Sequence, residues 1–165
     1  MAAATRVTVA PALGLPYGCR MRSAVIADND PGVRSLLAEL ARRQGFEVHV
    51  AADGEQAKAL LGTGSVDLLV CDLDMPKVTG QQLLGWVAQQ HQAPIVVVVS
   101  GYVDATIQAS LMAIRGVRSV LRKPFDILAF ASLLRGYANE LAARAQPSAI
   151  GVSPDEQPQA GQAAG

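Results

Sequence analysis

Between Ser23 and about Ala143 the chain switches back and forth between two hydrophobic rhythms, and the alternation runs five times. The nearly continuous apolar runs at 66–71 and 95–99 predict strands buried on both faces, in the middle of a parallel sheet. Phe46, Val48 and Val50 instead alternate with Glu47 and His49, the period of a strand covered on one face and therefore an edge strand. Residues 23–27 and 117–122 supply the other two strands.

Helical spacing fills the intervals. Asp30 as N-cap and Pro31 at the first helical position open a helix with an apolar stripe at Val33, Leu36, Leu37, Leu40 and Ala41, and Gly45 lies beyond its end. Asp53 caps a short helix through about Leu61. Further helices are predicted over about 80–90, 103–114 and 126–143, the last with a stripe at Ile127, Phe130, Ala131, Leu134, Tyr137, Ala138 and Leu141. Five βα units with an edge second strand and central third and fourth strands predict an α/β, flavodoxin-like, doubly wound (βα)5 fold with a parallel five-stranded sheet in the order 2-1-3-4-5. Such a sheet carries its functional crevice at the C-terminal ends of strands one and three.

Composition narrows the picture. A chain of 165 residues that is 50% apolar buries one ordinary core, here expected over residues 21–143. Fourteen basic and fourteen acidic side chains cancel, so a general nucleic-acid or anionic-membrane surface is not expected. The apolar N-terminal stretch is broken by Thr8, Pro11, Gly14 and Pro16 and preceded only by Arg6, which makes a poor signal peptide. Residues 1–20 read as a disordered extension or as sequence upstream of a start at Met21, and 144–165, rich in Gln, Pro, Ala, Gly and Ser, as a disordered tail. Two cysteines make no disulfide framework, and Cys71 within a strand reads as a small hydrophobe. A reducing cytoplasm is the expected home.

The candidate chemistry collects at strand ends. Asp72 closes the third strand and opens Leu73-Asp74-Met75-Pro76; Asp28-Asn29-Asp30 follows the first, Ser100-Gly101 the fourth, and Lys123-Pro124-Phe125 the fifth. Acids, a hydroxyl and a lysine on one lip suit magnesium and a phosphoryl group. Each also has a plainer reading: a buried ion pair for Asp72 and Lys123, a turn for Asp28, a backbone-bonded hydroxyl for Ser100, a solvated acid for Asp74. His49, His91 and Arg42-Arg43 read as surface, and Trp86 as packing.

In this order the motifs resemble those of a bacterial two-component response-regulator receiver domain, of the stand-alone, chemotaxis-regulator-like kind, over about residues 21–143. The resemblance implies a signalling phosphoacceptor rather than an enzyme. Asp72 would take the phosphoryl group from a histidine kinase or phosphotransfer protein, with Lys123 and Ser100 contacting it. Mg2+ would be held by Asp28, Asn29, Asp72 and the backbone carbonyl of Asp74. The Lys123–Pro124 bond would be cis, and a downstream effector protein would bind the 103–143 face. Three positions depart from the family pattern: Asn29 where a second acid is common, Val120 where an aromatic switch residue often stands, and Thr79 where an acid is frequent. Asn29 and Val120 leave open a degenerate receiver that serves as a constitutive binding module. Asp72-Leu73-Asp74 also matches the Asp-x-Asp of haloacid-dehalogenase-like phosphatases, although here it follows two βα units instead of closing the first strand.

Overall fold

The computed structural model describes residues 20–145; the expected disorder of the two tails falls on residues outside that range except at Arg20, which pairs with Asp67 at 2.8 Å, and at Arg144 and Ala145, which close the last helix instead of opening a tail. Its elements run β1 Arg22–Ala27, α1 Pro31–Arg43, β2 Phe46–Ala51, α2 Gly54–Gly62, β3 Leu68–Asp72, α3 Gly80–Ala88, β4 Ile95–Ser100, α4 Ala105–Met112, β5 Val117–Arg122 and α5 Ile127–Ala145. All strand pairs are parallel, in the order β2-β1-β3-β4-β5, as the patterns of β2, β3 and β4 predict.

Alternation along each strand divides the core in two. Ile26, Val70, Val97 and Val99 pack with Leu37, Phe46, Phe130 and Leu134 on the face covered by α1 and α5. Val25, Leu69, Cys71, Val96 and Val98 pack with Ala57, Leu83, Leu84, Val87 and Leu111 beneath α2, α3 and α4. A strand buried on both faces has no room for polar side chains, which is why β3 and β4 read as continuous apolar runs.

Several local expectations shift. Leu36 is 40% exposed while Ala38 is buried. The sheet-facing side of α1 is centred on Leu37 and Ala41, and Leu36, about 100° round the axis, falls on its rim. Val50, on the edge strand, is 46% exposed, and Ile127 begins α5 half in solvent. The α4 helix starts later than its apolar pattern because the Asp104 side chain accepts from the Ile107 N–H at 2.7 Å and so sets the first turn at Ala105. Val66 and Asp67 precede β3 proper, although the Asp67 N–H donates to the Ser23 carbonyl and the Asp67 carbonyl accepts from Ile95. The Asp30 and Asp53 caps form as read from the sequence.

Candidate functional site

Parallel register brings the chemistry together. Ala27 pairs with Cys71, Asp72 with Val99, and Ser100 with Arg122, so Asp28, Asp72, Ser100 and Lys123 emerge side by side along one lip of the sheet. Asp28 is wholly buried, and Asp72 and Ser100 are each 5% exposed. Buried carboxylates require partners. The Lys123 ammonium supplies them, donating to Asp28 Oδ2 at 2.7 Å and to Asp72 Oδ2 at 2.9 Å. The remaining carboxylate oxygens accept backbone N–H groups: Asp30 on Asp28 Oδ1 at 2.8 Å, and Asp74 on Asp72 Oδ1 at 3.1 Å. The Lys123–Pro124 peptide is cis, and the Lys123 N–H donates to the Ser100 carbonyl at 2.8 Å.

Burial by itself disfavours the Lys123 ammonium, but its hydrogen bonds to Asp28 and Asp72, reinforced by their charges, outweigh that cost and raise its pKa above the ordinary lysine value. Two carboxylates thus share a single ammonium in a space largely closed to water. Hard oxygen donors fit a magnesium ion, which takes one or two carboxylates and completes its shell with water and phosphate oxygens. Among the described residues no group of three or more His, Cys, Asp or Glu forms a fuller protein cage.

The other expected residues take distinct positions. Ser100 Oγ engages only the Tyr102 backbone among its hydrogen bonds, donating to the carbonyl at 3.3 Å and accepting from the N–H at 3.4 Å. Asn29 and Asp74 are exposed, and it is the Asp74 main chain that meets Asp72. Val120 is half-buried against the α2–α4 side of the core, and Tyr102 is 69% exposed. His49, His91, Arg42 and Arg43 are exposed; Trp86 is half-buried, with the Lys58 ammonium 5.4 Å from its ring centroid.

Two contacts escaped the sequence reading. Arg34 donates to the Asp28 carbonyl at 2.6 Å, and Lys77 reaches Asp53 Oδ2 at 2.7 Å. Asp53 was recognisable as a cap, but nothing in a local pattern links it to a lysine in the loop after β3.

Comparison with known proteins agrees with this fold. A family model described as the response regulator receiver domain matches residues 24–135. The transcriptional regulatory protein CpxR of Klebsiella pneumoniae is 40% identical over 108 residues, 64% of this chain and 44% of CpxR. PdtaR, a transcriptional regulatory protein of Mycobacterium tuberculosis, is 33% identical over 107 residues, 64% of this chain and 51% of PdtaR. The chain thus matches about half the length of these curated relatives. The receiver domain of AraT, a response regulator from Geobacillus stearothermophilus, superposes with a TM-score of 0.68 at 24% identity, covering 77% of this chain and 100% of that one. A CheY-like receiver domain protein from Methanospirillum hungatei gives 0.68 at 18% identity, covering 76% and 99%; at these identities the likeness is one of fold. With that fold, and with a family match spanning the residues that carry the carboxylate pair and its lysine, the chain belongs to the response regulator receiver domain family.

Proposed function

We propose that Asp72 accepts a phosphoryl group from the phosphohistidine of a histidine kinase or phosphotransfer protein, and that the acyl phosphate governs binding of a downstream protein. The observation that carries this reading is the sharing of one ammonium, Lys123, between two buried carboxylates, Asp28 and Asp72. A structural ion pair needs one carboxylate; a second buried beside it is costly unless the excess charge has a use.

In the transfer, an Asp72 oxygen bonds to phosphorus as the phosphorus–nitrogen bond to the donor imidazole breaks, and a proton moves to the released nitrogen. Lys123 exchanges its contact with Asp72 for one with a phosphoryl oxygen and holds the developing charge. Ser100 turns its hydroxyl from the Tyr102 backbone to the same group. Asp28, Asp72 and the Asp74 carbonyl, with Asn29 alongside, would hold Mg2+, which when bound neutralises the acid and the incoming anion together. Receiver domains generally bind this ion at their acidic site. Membership of the receiver family favours this reading over one of Asp72-Leu73-Asp74 as a phosphatase motif.

The output surface in this reading is α4, β5 and α5, where Met112 and Leu128 are 46% and 80% exposed. A protein partner suits it better than nucleic acid, since the acidic and basic side chains of the chain cancel. No described helix is long and apolar enough to cross a membrane, and the proposed setting is the cytoplasm. Incubation with acetyl phosphate and magnesium, followed by intact-mass spectrometry, tests the proposal. Wild type should gain one phosphoryl group and Asp72→Asn none. Equal labelling of the two proteins removes Asp72 from the role, and an unlabelled wild type favours a constitutive binding module.

A further inference from the structure

Asp53 and Lys77 stand outside the carboxylate pair, yet they fasten the loop that leaves it. Asp53 is 4% exposed and has both oxygens engaged: Oδ1 accepts the Gln56 N–H at 2.8 Å and caps α2, while Oδ2 accepts from Lys77 Nζ at 2.7 Å. Glu55 lies 3.7 Å from the same ammonium. Lys77 is the one non-glycine residue with positive φ among the described residues, at 66°, a conformation uncommon for any residue with a Cβ. The neighbouring backbones are in close contact. A Cβ on Gly54 would stand 2.0 Å from the Val78 carbonyl oxygen, so residues 77–79 lie directly on the start of α2. At the other end of the loop, a Cβ on Gly80 would stand 2.3 Å from the Asp72 carbonyl oxygen, and the Gly80 N–H donates to Leu73 at 3.0 Å. Between these two anchors lies Asp74.

We propose that Asp53 and Lys77 are positioning residues for the acceptor site: their ion pair clamps the β3–α3 loop to α2 and so sets where the Asp74 main chain meets Asp72 and a bound cation. This inference rests on the reading of Asp72 and Asp74 given above. Supporting groups of this kind govern metal affinity without touching the metal.

Lys77→Met removes the charge while keeping the length of the chain, and Asp53→Asn keeps a good cap while losing the anion. In the full-length protein titrated with magnesium alone and followed by amide chemical shifts, Lys77→Met should raise the half-saturating concentration roughly tenfold, and Lys77→Arg should restore it. In metal-free protein, hydrogen exchange at the Asp74 and Gly80 amides should quicken in Lys77→Met, with Val70 and Val97 unchanged. The double variant with Asp53→Asn should be no worse than the poorer single variant, since the two share one contact. A magnesium titration of Lys77→Met that superimposes on wild type overturns the clamp and leaves the acceptor reading intact. A wild type that shows no magnesium response at Asp28 and Asp72 overturns both. Exchange that quickens across the whole core would mark an ordinary loss of stability and overturn the positioning role.

Discussion

The Lys123 ammonium lies 2.9 Å from Asp72 Oδ2, although 51 residues separate the two in the chain. The contact exists because β3 and β5 flank β4 in parallel register, so that both residues leave the sheet on the same lip. Its energetics follow from burial: the ammonium is the only cation hydrogen-bonded to either carboxylate side chain among the described residues.

Lys123→Ala should therefore leave two buried carboxylates facing each other. Removing one partner of a buried pair costs roughly 3 kcal/mol, and magnesium should recover part of the loss by taking over as counter-ion. Thermal unfolding with and without magnesium checks this; equal shifts in the two conditions would contradict it. The pH dependence has a definite sign. The folded pKa of Lys123 is raised above 10.5, so its contribution is complete below the unfolded value and is lost as pH rises through the folded one. The stability gap between wild type and Lys123→Ala should stay level from neutral pH to about pH 10 and narrow only above that.

Asn29 lies in solvent directly after the buried Asp28. A carboxylate in its place, a few ångströms from a divalent ion, should strengthen binding by roughly one to a few kcal/mol after desolvation. Asn29→Asp should lower the magnesium concentration needed for labelling by acetyl phosphate, and should destabilise the metal-free protein through repulsion with Asp28 and Asp72. Superimposable magnesium titrations would remove residue 29 from the ligand set.

Two glycines of α3 should respond in opposite directions. The first, Gly80, has no room for a Cβ beside Asp72 and Leu73, whereas nothing lies within 4 Å of one added to Gly85. Gly80→Ala forces the acceptor loop outward at about 1–3 kcal/mol and should slow phosphorylation. Gly85→Ala should stabilise by about 0.4–1 kcal/mol, chiefly by restricting the unfolded chain, with phosphorylation unchanged. Chemical denaturation of both variants provides the comparison.

The parts of this molecule that could be read from sequence are those set by local chemistry or by the sheet. The continuous apolar runs of β3 and β4 fixed them at the centre, the alternation of β2 put it at an edge, and Asp30 and Asp53 announced their helices as caps. The strand-end residues Asp28, Asp72, Ser100 and Lys123 converge because parallel strands deliver their C-terminal ends to one lip. The contacts that were not legible depend on loop paths. Arg34 reaching the Asp28 carbonyl and Lys77 reaching Asp53 leave no periodic trace, because each joins segments whose separation is decided by tertiary packing. Leu36 failed for a related reason: helical period identifies a stripe, but the sheet decides how wide a stripe it covers.

The hydroxyl of Ser100 is held only lightly, by two contacts of 3.3 and 3.4 Å to Tyr102 at the long end of hydrogen-bond distances. A phosphoryl group on Asp72 brings about −1.5 to −2 charges, and a charge-assisted bond from Ser100 to it is worth about 1.5–3 kcal/mol, which shifts a two-state loop roughly ten- to a hundredfold. Turning Ser100 would release Tyr102, which is 69% exposed, and Tyr102 is followed within two residues by Asp104, the cap that starts α4. Val120 has no ring to fill space that the hydroxyl vacates, and it is packed against the core. The rearrangement should accordingly be small and centred on the Ser100-Gly101-Tyr102 loop and the first turn of α4, with Tyr102 taking the aromatic role. Amide chemical shifts with and without beryllofluoride should change most, outside the pocket, between Ser100 and Ile107, and Ser100→Ala should suppress those changes while leaving the shifts at Asp28 and Asp72. Changes confined to the residues around the carboxylates in wild type would mean that phosphorylation is not coupled to α4.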